Sequence, residues 1–197
     1  MSQLKEPQLA APGAGIPRVE RVIGGFFFSI RGRWGSVDSF TRKFESERER
    51  IRWLVESCDS KEAGKQVLIA RIRGLEDSSR YWSMAMTLEH LRITNTTFAG
   101  VIRTLIAGKV PEGKASTAAV KPRGGVGVEV LMDYEQSCDE LLNSILTTND
   151  LRTVTKFSHP WFGPMNAREW YALAGSHMGI HRIQMERIIK GLTANFS

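Results

Sequence analysis

From residue 36 onward, apolar residues recur every three or four positions in four long stretches, separated by Gly, Pro and small polar clusters. The first, Ser36 to about Ser57, opens on a capping-type serine and carries Phe40, Phe44, Ile51, Trp53, Leu54 and Val55 on a charged background. The second, about Tyr81 to Ala107, aligns Trp82, Met86, His90, Ile93, Thr97, Val101 and Leu105 in one stripe, and Gly108 and Pro111 stop it. The third, Glu129 to about Leu146, has Val130, Leu131, Tyr134, Cys138, Leu141, Leu142 and Ile145 as its apolar positions. The fourth follows Asn166, a capping residue, and runs to about Lys190 before Gly191 ends it. Four such helices around one core predict an all-α fold, a four-helix bundle. The link Gly108–Val128 between the second and third helices, roughly 20 residues, is long enough to be a crossover rather than a tight hairpin.

The remaining segments read differently. Met1–Pro17, with three prolines and two glycines, is expected to be a loose leader. Arg18–Arg33 is locally basic and sets Phe26, Phe27 and Phe28 between Arg21 and Arg31. Such a cluster is expected to tuck its aromatics against the bundle, with a membrane surface or a polyanion as the alternative. Glu62–Arg80 mixes Gly and Ser with a short apolar run and is expected to be an irregular link with one turn of helix at most. The chain thus divides into residues 1–35, a leader with an aromatic and basic segment, and residues 36–197, the bundle.

With 197 residues, 42% of them hydrophobic and 24% charged, the chain has the balance of a globular protein with one substantial core. The apolar run Gly24–Ile30 is far short of the roughly 20 residues of a spanning helix, and no signal-peptide pattern accompanies it. A cytoplasmic protein with no transmembrane segment is the expectation. Cys58 and Cys138 fit no CxxC pattern, so they read as reduced thiols. The net charge of +6 raises the question of nucleic acid. In Glu45–Ser57, however, acids and bases interleave at i,i+3 and i,i+4 as on a solvated helix face, and "GGVGVE" lacks the strand and the Lys-Ser/Thr of a phosphate loop. No specific nucleic-acid partner is expected.

The histidines change the picture. Of only four in the chain, His177 and His181 stand four apart on the fourth helix. Four helical residues turn through about 400° and rise about 6 Å, so both imidazoles leave one face. His90 lies on the inward stripe of the second helix. Three neutral imidazoles from two facing helices suit a divalent ion such as Zn²⁺ or Ni²⁺ and leave a coordination position open, as in catalytic sites. The alternative for a His-x-x-x-His pair is two partly buried, hydrogen-bonded histidines. No glutamate follows His177, which argues against a zincin-type protease.

"YWSMAMTLEHL" on one helix, followed at the end of the chain by "HPWFGPMNAREWYALAGSHMGIHRIQMERI", resembles the DinB/YfiT-like superfamily of metal-binding four-helix bundles, over roughly Ser36 to Leu192. The resemblance implies that His90, His177 and His181 form a metal triad. That superfamily includes bacillithiol and other low-molecular-weight thiol S-transferases and the mycothiol-dependent maleylpyruvate isomerase. What it implies here is a metal-dependent enzyme of thiol S-transferase or hydrolase type, acting on a small-molecule substrate with one divalent metal and a low-molecular-weight thiol. The contrasting expectation is a non-catalytic, stress-linked binding bundle without a functional metal. Paired bundles, and so a homodimer, are a reasonable expectation for this architecture.

Other positions qualify as neighbours of such a site. Gln184 shares the face of His177 and His181 and can orient a ligand or sit at a polar end of the bundle. His159, in the loop before the fourth helix, can reach over the site as a proton shuttle or stabilise a turn. Tyr134 can line the pocket or join the core. Glu89 and Glu186 point around their helices, toward solvent or an arginine.

Overall fold

The computed structural model describes residues 7–148 and 150–194. Its helices are α1 (Arg18–Trp34), α2 (Val37–Glu56), α3 (Met84–Ile106), α4 (Val130–Asn143) and α5 (Ala167–Ala194). Two short antiparallel pairs lie between them: β1 (Val67–Leu68) with β2 (Tyr81–Trp82), and β3 (Phe157–His159) with β4 (Gly163–Met165).

The helix starts follow capping chemistry. Ser36 and Ser83 hold extended backbone, and their hydroxyls accept from the amides of Ser39 and Met86. Asn166 and Glu169 cap reciprocally: the Glu169 amide donates to Asn166 Oδ1 at 3.0 Å, and the Asn166 amide donates to Glu169 Oε2 at 2.9 Å. The cap at Ser83 corrects the expected start of the second bundle helix. Tyr81 and Trp82 are strand residues paired with Leu68 and Val67, as suits an aromatic pair on extended backbone. The third bundle helix likewise ends at Asn143 rather than Leu146, and the buried Ser144 donates its hydroxyl back to the Leu141 carbonyl.

α5 lies against α2, α3 and α1, and α3 lies against α4. α4 closes the ring onto α2 through Arg48, which pairs with Glu135 and Asp139, and Arg52, which pairs with Glu135. The core inside is apolar: Phe44 and Ile51 from α2, Leu88 and Leu91 from α3, Tyr134 and Leu141 from α4, Trp170, Met178 and Met185 from α5, all at most 2% exposed. Burying side chains of this size stabilises a bundle by about 1.5–3 kcal/mol each before the ordering cost is subtracted.

Several expectations need correction. The basic aromatic segment is a helix of 17 residues, and only Phe28 of its three phenylalanines is buried; Phe26 and Phe27 face outward. The leader is tied down from residue 10. Ala10 donates its amide to Asp77, Gly13 and Gly15 donate theirs to Glu76, and Ile16 is buried. Residues 1–6, which share that expectation, lie outside the described residues. The irregular link 62–80 has its one helical turn, a 3₁₀ turn at Asp77–Ser79, as expected, and departs from the expectation only in also supplying β1.

Gly191 does not end the last helix, which continues to Ala194. A Cβ at Gly191 would meet Val67 Cγ1 at 2.4 Å, so the glycine is where β1 crosses the helix closely. A Gly→Ala change inside a helix ordinarily stabilises by about 1 kcal/mol. Here the branched Val67 side chain must be displaced, and Gly191→Ala is expected to destabilise by about 1–2 kcal/mol instead. A urea melt checks this, and a rise in the midpoint would contradict the close crossing.

Candidate metal centre

α5 has two working faces set by its small residues. On one, a Cβ at Gly175 would meet Phe44 N at 3.2 Å and one at Gly179 would meet Glu47 Oε1 at 3.3 Å, so these glycines let α2 approach. The opposite face carries His177 and His181, one turn apart. α3 brings His90 to meet them, two turns into the helix from its Ser83 cap.

The three rings cluster closely. Ring centroids are 5.1 Å apart for His90 and His177, and 4.5 Å for each pairing with His181. One nitrogen from each ring can be chosen so that all lie within 4.8 Å of one another. His90 Nε2 and His177 Nε2 are 3.2 Å apart. Ligands on a tetrahedral zinc, at about 2.0–2.1 Å from the metal, sit about 3.3 Å from each other, so this spacing fits.

Outer hydrogen bonds fix two of the three tautomers. His90 Nδ1 is 2.7 Å from the Val120 carbonyl, which can only accept, so Nδ1 carries the proton and Nε2 keeps its lone pair. Gln184 Nε2 donates to the Ser79 carbonyl at 2.7 Å, which orients the amide so that its Oε1 accepts from His181 Nδ1, also at 2.7 Å. His181 Nε2 is therefore also a bare lone pair. His177 Nδ1 is buried with no hydrogen-bond partner; its Nε2 meets His90 Nε2, and Phe98 packs edge-on against the ring at 5.6 Å. Trp82 stacks parallel to His181 at 6.1 Å. Burial holds all three imidazoles in the neutral form: it pushes His90 down to about 4 and His177 and His181 well below the usual histidine range, with the neighbouring imidazoles adding to the effect at His177 and His181. Neutral imidazole is the ligand form. The residues present fit one divalent ion, with Nε2 of His90 and Nε2 of His181 as two prepared donors and His177 as the third.

The cluster lines a cavity of about 290 Å³. Its walls are mainly apolar, with Ile93, Phe98, Trp161 and Trp170 among them, and Thr94, Thr97 and the segment 114–121 complete it. That segment, part of the connection from α3 to α4, is anchored by Glu76. Glu76, 3% exposed, accepts from Thr117 and pairs with Lys121 at 2.6 Å. The Lys121 ammonium also donates to Ser78 and Ser79 and sits 5.3 Å over the Trp82 ring. The ion pair, the hydroxyls and the indole together hold the Val120 carbonyl against His90.

The structure thus brings His90, His177 and His181 together, with Gln184 bonded directly to His181. His159 lines the same cavity; its Nδ1 accepts from the Trp161 amide at 3.2 Å, and its ring stacks on Phe162, so it shapes the β3–β4 turn and also faces the cavity. Burial lowers its pKa to about 4. Tyr134 is not among the cavity-lining residues; it is wholly buried in the core, with its hydroxyl 3.8 Å from Met178 Sδ. Glu89 is claimed by Arg92 in two hydrogen bonds, with Arg123 nearby, and Glu186 by Arg182. Cys138 is buried, its thiol pushed up to about 12 by desolvation. Sequence reading did not find Val120, Ser79, Glu76 or Lys121. Two of these act through backbone carbonyls, which leave no trace in residue type, and the other two form an ion pair across 45 residues of chain.

Gln184→Leu keeps the volume and removes both hydrogen bonds. It is expected to weaken zinc binding about 10- to 100-fold, as loss of an outer partner of a ligating histidine does. A competition titration with a chromophoric chelator reads this; unchanged affinity would mean that the amide does not set the His181 tautomer.

Fold and site together define a helix bundle with a buried three-histidine cluster able to hold a metal ion. Among solved structures, the chain is similar to TT2238, a four-helix bundle protein, at 20% sequence identity and a TM-score of 0.55, covering 77% of this chain and 98% of that one. No protein-family model matches the sequence, and no curated protein matches it.

Proposed function

We propose that the chain is a DinB/YfiT-like metal-dependent enzyme of thiol S-transferase or hydrolase type, with the 107–129 segment as the bundle's crossover connection. The observation that supports this most is the convergence, at the wall of an apolar cavity, of three neutral imidazoles, two of them locked with Nε2 free. Three protein donors would leave a bound ion open to one further ligand, whereas a structural zinc is closed by four. A zinc or nickel ion bound there supplies Lewis acidity, which lowers the pKa of a thiol or of water so that a nucleophile exists near neutral pH.

The chain's own residues do the rest. His90, His177 and His181 hold the ion, and Val120 and Gln184 hold two of those rings in register. Ile93, Phe98, Trp161 and Trp170 exclude water and receive an apolar or aromatic electrophile. His159, neutral and with its Nδ1 occupied as an acceptor, carries its one proton on Nε2 and offers a hydrogen bond to a substrate in the cavity. The test is a screen of thiol transfer to electrophilic small molecules and of ester and amide hydrolysis, on zinc- and nickel-loaded protein beside metal-free protein. Metal-dependent turnover that His177→Ala abolishes is the expected result. A protein that binds metal tightly yet turns over nothing beyond the metal-free control would favour the binding-bundle reading.

A further inference from the structure

α1 has two faces, and the bundle uses one of them. Inward, Phe28 packs on Phe162 with centroids 4.9 Å apart, and a Cβ at Gly32 would meet Glu169 Cγ at 2.7 Å. Arg168 reaches back from α5 to the carbonyls of Gly32 and Gly35. Outward, Val19, Val22, Ile23, Phe26, Ile30 and Trp34 recur at helical spacing along the whole helix, with Phe26 69% and Trp34 79% exposed. A helix of 17 residues is about 25 Å long, so this is a continuous exposed apolar stripe, one flank of which, Val19 and Ile23, also edges a cavity shared with Leu173 and Ile180.

The charge on this helix says what covers the stripe. Its one acid, Glu20, is turned to the bundle, where Arg71 and the Gly74 amide donate to it. Arg31 is also turned inward, its guanidinium 5.4 Å over the buried Phe40 ring, while Arg18 and Arg33 are exposed at the two ends of the helix, with no carboxylate partner among the described residues. A second copy seated on the stripe would set arginines against arginines, whether the two helices ran parallel or antiparallel, and like charges across an interface oppose association. An exposed apolar ridge with an arginine at each end matches instead a planar surface that is apolar inside and anionic at its face.

We propose that the outer face of α1 docks the protein on anionic lipid bilayers, with Val22, Ile23, Phe26, Ile30 and Trp34 in the interface and Arg18 and Arg33 at the headgroups. The docking requires no metal and stands apart from the proposed activity. Sedimentation with vesicles tests it, comparing phosphatidylcholine alone with a phosphatidylcholine–phosphatidylglycerol mixture. The wild-type chain is expected to bind the anionic vesicles at least about tenfold more tightly, with binding falling as salt screens the arginines. The double variant Ile23→Asp, Phe26→Asp is expected to lose binding while keeping its circular dichroism, its melting midpoint and its zinc affinity, since both side chains are exposed. Failure of the wild type to bind anionic vesicles would overturn the proposal, as would undiminished binding by the variant. So would light scattering that shows a wild-type dimer dissolved by the same two substitutions, which would give the stripe to a second copy.

Discussion

His181→Ala is expected to reduce zinc affinity by well over 100-fold while leaving the helical content of the chain nearly unchanged. Loss of an outer partner alone costs a ligating histidine about 10- to 100-fold, and removing the imidazole takes away the donor itself. The fold survives because α5 is held elsewhere along its length, by Trp170, Ala174, Met178, Met185 and Ile188, each at most 2% exposed. The substitution has one structural cost: Gln184 Oε1 loses its donor while its Nε2 stays committed to the Ser79 carbonyl. An orphaned buried acceptor costs about 1–3 kcal/mol, so the metal-free variant melts lower than the metal-free parent without unfolding. Titration against a chromophoric chelator and far-ultraviolet circular dichroism read the two effects separately. Zinc affinity equal to that of the parent would remove His181 from the ligand set.

Acid is expected to undo the metal-free protein in a defined window. Burial pushes His90 from the usual 6.5 down to about 4, so the folded chain refuses a proton that the unfolded chain accepts. The stability is therefore complete above pH 6.5 and is lost as pH falls toward 4. For His90 alone the loss is about 2 kcal/mol at pH 5 and about 3 kcal/mol at pH 4. His177 and His181 shift in the same direction for the same first reason, burial, and add to the loss. The same burial protects the loaded site: because the rings stay neutral below 6.5, zinc is retained at pH values where exposed histidines would exchange it for protons. Urea melts of the metal-free protein at pH 7.5, 6 and 5, with and without added zinc, measure both. A metal-free midpoint that does not change between pH 7.5 and 5 would contradict neutral burial of the triad.

The readable parts of this protein are those whose residue type and spacing carry the physics. The His177 and His181 pair declares itself because a helix turns through one full turn in about four residues, and His90 because it interrupts an apolar stripe. The caps at Ser36 and Asn166 are equally explicit. α1 was hidden for a related reason: its apolar residues point both inward and outward, so no single stripe separates from a polar face. Trp82 fits the spacing of the α3 stripe but is a strand residue, because the Ser83 cap one residue later fixes where the helix begins. Gly191 has the residue type of a helix stop and acts instead as a crossing point, a distinction that only the approach of Val67 decides. The outer partners of the histidines were illegible because a backbone carbonyl belongs to every residue alike.

The most direct test of the central claim, that His90, His177 and His181 hold one divalent metal ion, is elemental analysis of the untagged protein. The chain is first stripped with chelator, then reconstituted with excess zinc and dialysed. About one zinc per wild-type chain, and close to none in a His90→Ala, His177→Ala double variant, is the expected result. A wild-type chain that retains no more zinc than the double variant would contradict it.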